Sequence, residues 1–383
     1  MTAAQLLVGI ILGFAAQAAI LLGMAAARVR RELSASRDRA ARLAPIPMRV
    51  LRKTPETADG SVCSFLLAPV EQSAPAFLPG QYLTIHARPD GEGAPVQRCY
   101  SLSNAPGEGF LRISVKRVAG GRVSPWLHDR VAAGDVLDVG APAGAFHLAD
   151  DETPVVLVSG GIGITPMMAM LEYLHATHPA RRVVFLHGCR NGREFAFATR
   201  LRELAASHPS LRLHRWFSAP EGADVQGRDY DHAGRMDARS VAACLPTGLA
   251  DVFLCGPGAM MQDLVAALRA AGVPEPRIHF EAFGPASVPA IAGAGVSEGA
   301  PRTVEFGRSG KRAVLKPGAS MLELAESVGA RITAVCRAGT CGNCQTRILS
   351  GTVGYGTPPT FAPAPGSCLP CVCKPTSDLV LDA

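Results

Sequence analysis

The sequence predicts a multi-domain chain: an N-terminal transmembrane helix, an antiparallel β-barrel, an α/β domain with a parallel sheet, and a small α+β domain bearing cysteines. Three observations carry this. A charge-free apolar run opens the chain, the periodicity of its middle switches from short strands to alternating strands and helices, and six of the eleven cysteines crowd into the segment from Cys336 onward. A chain of 383 residues that is 48% hydrophobic can bury more than one core, and two or three domains are expected.

The opening run is "TAAQLLVGIILGFAAQAAILLGMAAA", Thr2 to Ala27, with no charged residue. As a helix it extends roughly 39 Å, more than a hydrocarbon core of about 30 Å requires. Arg28, Arg30 and Arg31 follow it rather than precede it, the reverse of a cleaved signal peptide. By the positive-inside rule everything after Arg28 lies in the cytoplasm, so a single-pass anchor in a bacterial-type inner membrane is expected through residues 2–27. Residues 1–45 are read as this anchor and its basic juxtamembrane segment.

From 46 to 150 the chain reads as short strands, "VCSFLLAP", "QYLTIHARP", "FLRISVKRV" and "DVLDVGAP", separated by Gly and Pro turns. Strands at this spacing suggest a small barrel. From 151 to 284 the pattern changes. "PVVLVSGG", "RRVVFLHGC" and "DVFLCGP" are strands, and "TPMMAMLEYLHATH", "EFAFATRLRELAASH" and "AMMQDLVAALRAAG" read as helices between and after them. That alternation indicates a parallel sheet covered on both faces. Small residues with Gly and Pro make 285–300 a linker. In 301–383, "RTVEFGRSGKRAVLK" reads as a hairpin and "SMLELAESVG" as a short amphipathic helix ahead of the cysteines.

Net charge is +6, much of the basic excess lies in the run 28–42, and only 5% of residues are aromatic, so nucleic-acid binding is not expected. The cysteines are clustered rather than dense throughout, which argues for a metal site and against a disulfide framework. "CRAGTCGNC" places Cys336, Cys341 and Cys344 at C-x4-C-x2-C, the plant-type spacing for a [2Fe–2S] cluster. Gly339 and Gly342 permit unusual backbone angles there. The fourth thiolate must come from "SCLPCVCKP", where Cys368, Cys371 and Cys373 are all candidates by spacing. The C-x2-C pair Cys368/Cys371 also keeps structural zinc open.

Three further motifs are weak singly. "SGGIGITP" (159–166) ends a strand and begins a helix, where backbone N–H groups can meet a pyrophosphate, although its third glycine position falls on Pro166. "RCYSLS" (98–103) offers a cation, an aromatic face and hydroxyls. "LCGPGAMM" puts Cys255 at the C-terminal end of a strand, where open α/β sheets hold ligands.

Together, "RCYSLSNAP", "GGRVSPWLHDRVAAGDVLDVGAPAGAF", "GGIGITPMMAML", "FLCGP" and "FEAFGP", in this order and ahead of the cysteine motif, resemble the ferredoxin–NADP reductase superfamily with a plant-type, β-grasp ferredoxin domain fused at the C-terminus. The reductase part is most similar to that of bacterial flavohaemoglobins, with no globin. The resemblance implies that Arg98 binds the flavin phosphates, Tyr100 packs on the isoalloxazine and Ser101 bonds near its N5. It implies that Gly121 and Ser124 lie at the FAD pyrophosphate, and that "PAGAF" marks FAD rather than FMN. Gly161, Gly163 and Thr165 would line the nicotinamide nucleotide, with Cys255, Gly256 and Pro257 beside its ring and Glu281 and Phe283 flanking the flavin. Cys336, Cys341, Cys344 and Cys371 would ligate iron. Ser101, Cys255, Glu281 and Phe283 are thus the residues nearest the chemistry.

The function implied is a membrane-anchored NAD(P)H-dependent reductase that passes electrons through FAD and a [2Fe–2S] cluster, one at a time, to a partner oxygenase, hydroxylase or desaturase. A self-contained oxidoreductase acting on a small molecule, or a membrane redox sensor, is the alternative. No substrate-pocket domain is visible for the first, and the intact "RxYS" and "CGP" motifs speak against the second. Arg190 and Arg193 in "HGCRNGREFAF" could pair with the 2′-phosphate of NADPH, whereas the likeness to flavohaemoglobin reductases points to NADH.

Overall fold

The computed structural model describes residues 45–383 apart from 72, 92–94, 284–300, 316–318, 357, 358 and 360. The expected membrane helix over 2–27, the basic run and the linker lie outside the described residues. Among the described residues no helix is long and apolar enough to cross a membrane.

The first domain holds β1 (Ile46–Pro55), β2 (Val62–Pro69), β3 (Tyr82–Ala87), β4 (Val96–Ser101), β5 (Leu111–Lys116), helix α1 (Val123–Arg130) and β6 (Val136–Val139). They form a six-stranded sheet in the order β4-β3-β6-β1-β2-β5, with β1/β2, β2/β5, β3/β4 and β3/β6 antiparallel. The edge strands of this sheet, read from the sequence as a small barrel, meet at one isolated bridge, Leu102 to Ile113, just past β4. Alternation along β2 and β5 buries Phe65, Leu67, Leu111 and Ile113 on the inside of this sheet.

The second domain has the predicted parallel sheet. Its strands are β7 (Val155–Gly160), β8 (Val183–Cys189), β9 (Leu211–Phe217), β10 (His232–Ala233), β11 (Asp251–Cys255) and β12 (Ile278–Glu281). They run in the order β10-β9-β8-β7-β11-β12, all parallel. The helices are α2 (Ile164–Thr177), α3 (Ala198–Ser207), α4 (Ala238–Cys244) and α5 (Gly258–Ala270). Leu157, Phe185 and Phe253 point into one core and Val156, Leu186 and Leu254 into another, so both faces are covered.

The helix expected over "EFAFATRLRELAASH" starts only at Ala198. Phe195 and Phe197 are buried instead: Phe195 stacks on His187 at 4.9 Å, and Phe197 takes a left-handed φ of 60° beneath the Arg112 guanidinium. Docking of these rings against their neighbours overrides the local helical pattern.

The third domain contains the expected hairpin, β13 (Arg302–Phe306) with β14 (Lys311–Leu315), and helix α6 (Met321–Val328). Ser320 and Glu323 form a reciprocal capping box at the start of α6, and Gly329 closes it with φ 70°. Strands β15 (Thr346–Ser350), β16 (Val353–Tyr355), β17 (Ser367–Cys368), β18 (Cys373–Pro375) and β19 (Leu379–Leu381) complete it. The five-stranded sheet runs β14-β13-β19-β15-β17, mixed because β13 and β19 are parallel, as a β-grasp arrangement requires. All three domains belong to one compact unit, Pro47–Ala383.

Candidate functional site

A cavity of about 450 Å³ opens where the three domains meet. Its first-domain wall is Tyr82 from β3, Arg98 to Ser101 from β4, Ser114 and Lys116 from β5, and Gly121, Arg122 and Ser124 at the start of α1. The second domain adds Ile162, Thr165, Glu281 and Phe283, and the cysteine loop adds Val335, Cys336, Arg337 and Thr340. Sequence reasoning missed Tyr82, Lys116, Arg122 and Arg337. Arg122 and Arg337 stand inside quoted motifs without having been singled out, and only the fold brings all four to one wall.

Ser101 Oγ donates to Glu281 Oε2 at 3.0 Å across the domain boundary. Glu281 is buried, and desolvation pushes its carboxyl up to about 8, helped by the neighbouring Cys336 sulfur and opposed by the Ser101 bond. Burial also raises the Tyr100 and Tyr82 phenols and the Cys99 thiol. Phe283 is 41% exposed at the rim, and among the described residues the Arg98 guanidinium's hydrogen bond is to the Gln97 carbonyl, at 2.8 Å. Gly121 packs at the start of α1, where a Cβ would stand 3.2 Å from Ser124 Oγ.

The glycine turn reaches this cavity through Ile162 and Thr165. Cys255 is fully buried and lies in register between Ser159 and Glu281 on the neighbouring strands. A Cβ on Gly163 would fall 2.1 Å from the Cys255 carbonyl oxygen, and one on Gly160 would meet Pro257 at 2.7 Å. On Gly256 it would meet Met260 at 2.4 Å. Gly161 has φ 52° and open space around it, leaving its backbone free for a ligand's approach. Of the residues assigned to the nicotinamide nucleotide, Thr165 lines the cavity, and Gly161, Gly163, Cys255, Gly256 and Pro257 are not among its lining residues. Arg190 is held by Glu194 at 3.6 Å, and the Arg193 carbonyl accepts from Asp59 N at 3.3 Å.

The four candidate iron ligands come as two pairs. Cys336 Sγ accepts from the N–H groups of Ala338 and Cys341 at 3.4 and 3.3 Å, and its thiol is pulled well down by the Cys341 thiol beside it. Cys344 and Cys371 sulfurs are 3.2 Å apart. Two pairs suit two irons, and among the described residues no three His, Cys, Asp or Glu side chains converge on a single-ion point. Cys368 and Cys373 are fully buried in the main core of the third domain, apart from the core that holds Cys344 and Cys371. The loop needs its glycines: Gly339 has φ 73°, and at Gly342 a Cβ would strike the Phe361 ring at 2.5 Å. Arg337 keeps a left-handed φ of 57° and pairs with Glu326.

Comparison with known proteins agrees with this division. The family described as an oxidoreductase FAD-binding domain matches residues 47–148, and an oxidoreductase NAD-binding domain matches 157–266. A 2Fe-2S iron-sulfur cluster binding domain matches 305–376. The flavohemoprotein of Bordetella pertussis is 45% identical over 246 residues, 63% of this chain and 61% of that protein. The chain therefore spans under two thirds of the length of such relatives. The FAD/NAD-binding domain of nitric oxide dioxygenase from Vibrio cholerae is 36% identical with a TM-score of 0.57, covering 63% of this chain and 100% of that one. Phthalate dioxygenase reductase, described as a modular structure for electron transfer from pyridine nucleotides to [2Fe-2S], is 27% identical with a TM-score of 0.56. That match covers 88% of this chain and 98% of the reductase.

Proposed function

On the premise that this chain belongs to the FAD- and NAD-binding oxidoreductases and carries a 2Fe-2S domain, we propose that it passes electrons from NAD(P)H to a separate protein. The acceptor is an oxygenase, hydroxylase or desaturase component. One observation carries this reading: Cys336, Arg337 and Thr340 of the cysteine loop wall the same cavity as Arg98 to Ser101 and Glu281. An iron centre held by Cys336 would adjoin the residues assigned to the flavin. When bound, the nicotinamide supplies a hydride, the flavin accepts both electrons and the cluster passes them on singly.

The chain's own residues position these groups. Arg98 lines the cavity and is the cation we assign to a dinucleotide's phosphates; Lys116 is paired with Glu194 at 3.5 Å and Arg122 with Asp90 at 2.6 Å. Tyr100 would supply a flat apolar face for the flavin, and Ser101, whose hydroxyl is fixed by Glu281, would bond to it. The packed glycines let a nicotinamide nucleotide settle on the ends of β7 and β11. Cys336, Cys341, Cys344 and Cys371 hold the cluster. We take NADH as the donor on the likeness of the reductase part to flavohaemoglobin reductases; Arg190, 68% exposed and 3.6 Å from Glu194, stays able to turn to a 2′-phosphate. The run 2–27 anchors the chain with its catalytic domains in the cytoplasm.

The test uses the full chain in detergent without oxygen, given NADH or NADPH, with absorption and low-temperature EPR recorded. Flavin bleaching followed by a rhombic cluster signal, faster with NADH, is expected. Flavin bleaching with no cluster signal would leave a plain flavin reductase, the self-contained alternative. Recovery of the chain from the soluble fraction of cells would sink the anchor.

A further inference from the structure

We propose that His175 and His208 bind a divalent transition-metal ion of the zinc, nickel or copper class on the helix layer of the second domain. The site is separate from the cavity and from the cysteine loop, and it stands whether or not the flavin reading does.

His175 lies in the last turn of α2. His208 is the residue that ends α3, where its backbone N–H donates to the Leu204 carbonyl at 2.8 Å. The two helices thus bring one histidine each to the same place. The ring centroids are 5.6 Å apart and the planes are tilted by 52°. His208 is 2% exposed and His175 is half-buried. Both ring nitrogens of His208 and Nδ1 of His175 are buried with no hydrogen-bond partner among the described residues.

Buried polar groups almost always find partners, so three unserved nitrogens on two adjoining rings call for a ligand. Other histidines of this domain show the contrast. His178, three residues on from His175, has Nδ1 2.7 Å from Thr177 Oγ1 and Nε2 3.3 Å from Asp150. His187 keeps one bond, Nδ1 to Ser159 Oγ at 2.8 Å. His208 has none.

The donor set says which ligand. A neutral imidazole offers a nitrogen lone pair, the donor that zinc, nickel and copper take. Burial first, and then the neighbouring His175, hold His208 below the ordinary histidine pKa, so its lone pair stays free of a proton. Two imidazoles bonded to one ion at about 2.0–2.1 Å each have centroids roughly 5–6 Å apart, which matches the separation here. Calcium and magnesium require oxygen ligands and do not suit the pair. No three His, Cys, Asp or Glu side chains converge among the described residues, so water completes the shell and binding is weaker than at a closed four-ligand zinc site. The half-buried His175 gives the ion a way in. Once bound, the ion ties the end of α2 to the end of α3.

The experiment dialyses the untagged full chain, in detergent, against Ni²⁺ and counts bound metal by elemental analysis. Cysteines also hold nickel, so the site is read as a difference between variants prepared alike. Losing even an outer partner of a metal ligand costs about 10–100-fold in affinity, and His175→Ala and His208→Phe should each weaken the same single equivalent at least that much. The double variant should lose no more than either single one. His178→Ala, whose ring already has partners, should keep the equivalent. Ni²⁺ should also raise the thermal midpoint of the wild type by more than that of His208→Phe. A wild type that takes up no such equivalent, or uptake unchanged in His175→Ala, would overturn the site and leave the nitrogens to buried water. Equal loss in His178→Ala would overturn the assignment to this pair. Should His208→Phe fail to fold, His175→Ala at its half-buried position decides, with His178→Ala as the control.

Discussion

At the residue scale, Glu281 makes the sharpest prediction. Its carboxyl is raised from 4.5 to about 8 by burial, so between these values the folded chain holds a proton that the unfolded chain has lost. Stability from this group is complete below the unfolded value and falls as pH rises through about 8. Thermal unfolding of the flavin-free chain should show a decline from pH 5 to pH 9 that Glu281→Gln flattens; a decline of equal slope in the variant would refute the assignment. The glycine turn gives a second contrast. Gly163→Ala has ordinary backbone angles but drives a methyl into the Cys255 carbonyl, and should destabilise by about 1–3 kcal/mol in urea. Gly161→Ala meets no atom, so its cost is confined to the left-handed backbone, about 1 kcal/mol. Serine, glutamate and glycines of this kind were legible because they stand in short motifs. Tyr82 was not, since nothing local to it distinguishes a cavity wall from a core tyrosine, and Arg337 stands inside the cysteine motif, where it reads only as a spacer between ligands.

At the scale of elements, strands and helices with uniform periodicity were readable, and those whose form depends on partners were not. Strands β7, β8 and β11 and helices α2 and α5 announce themselves by apolar runs and glycine punctuation. Helix α1, within "GGRVSPWLHDRV", is short and holds a Pro and few apolar residues, so its pattern is faint. The stretch Glu194–Phe197 has helical composition yet is claimed by stacking on His187 and by Arg112. Between the first two domains, Arg181 does work that no motif signals. It is 2% exposed and donates to the Thr153 carbonyl at 2.6 Å, the Ala149 carbonyl at 3.1 Å and Asp151 at 2.9 Å. It thus pins the connector between β6 and β7 to the start of β8. Arg181→Ala should lower stability by about 2–3 kcal/mol in guanidinium unfolding, through carbonyls left buried without donors.

At the scale of the whole molecule, the order of domains could be read from the chain, because each has its own periodicity and its own motifs. Their meeting at one cavity could not, because it depends on surfaces distant in sequence. Nor could spacing choose the fourth cysteine. That choice rests on which thiols the fold brings together, and Cys371 lies beside Cys344 while Cys368 and Cys373 sit in another core. A chain ending at residue 283 should still take up flavin and reduce ferricyanide. It lacks Val335, Cys336, Arg337 and Thr340 from the cavity wall, so its reduced flavin should be reoxidised by oxygen several-fold faster than in the full chain. Stopped-flow mixing with oxygenated buffer measures this, and equal rates would mean that the loop shields nothing.

The shared wall has a practical corollary for anyone preparing the protein. A loop emptied of iron loses the crosslinks between its sulfur pairs, and the same loop encloses one side of the flavin cavity. Iron and flavin should therefore leave together: across batches of differing age or growth medium, the two contents per chain should rise and fall in proportion.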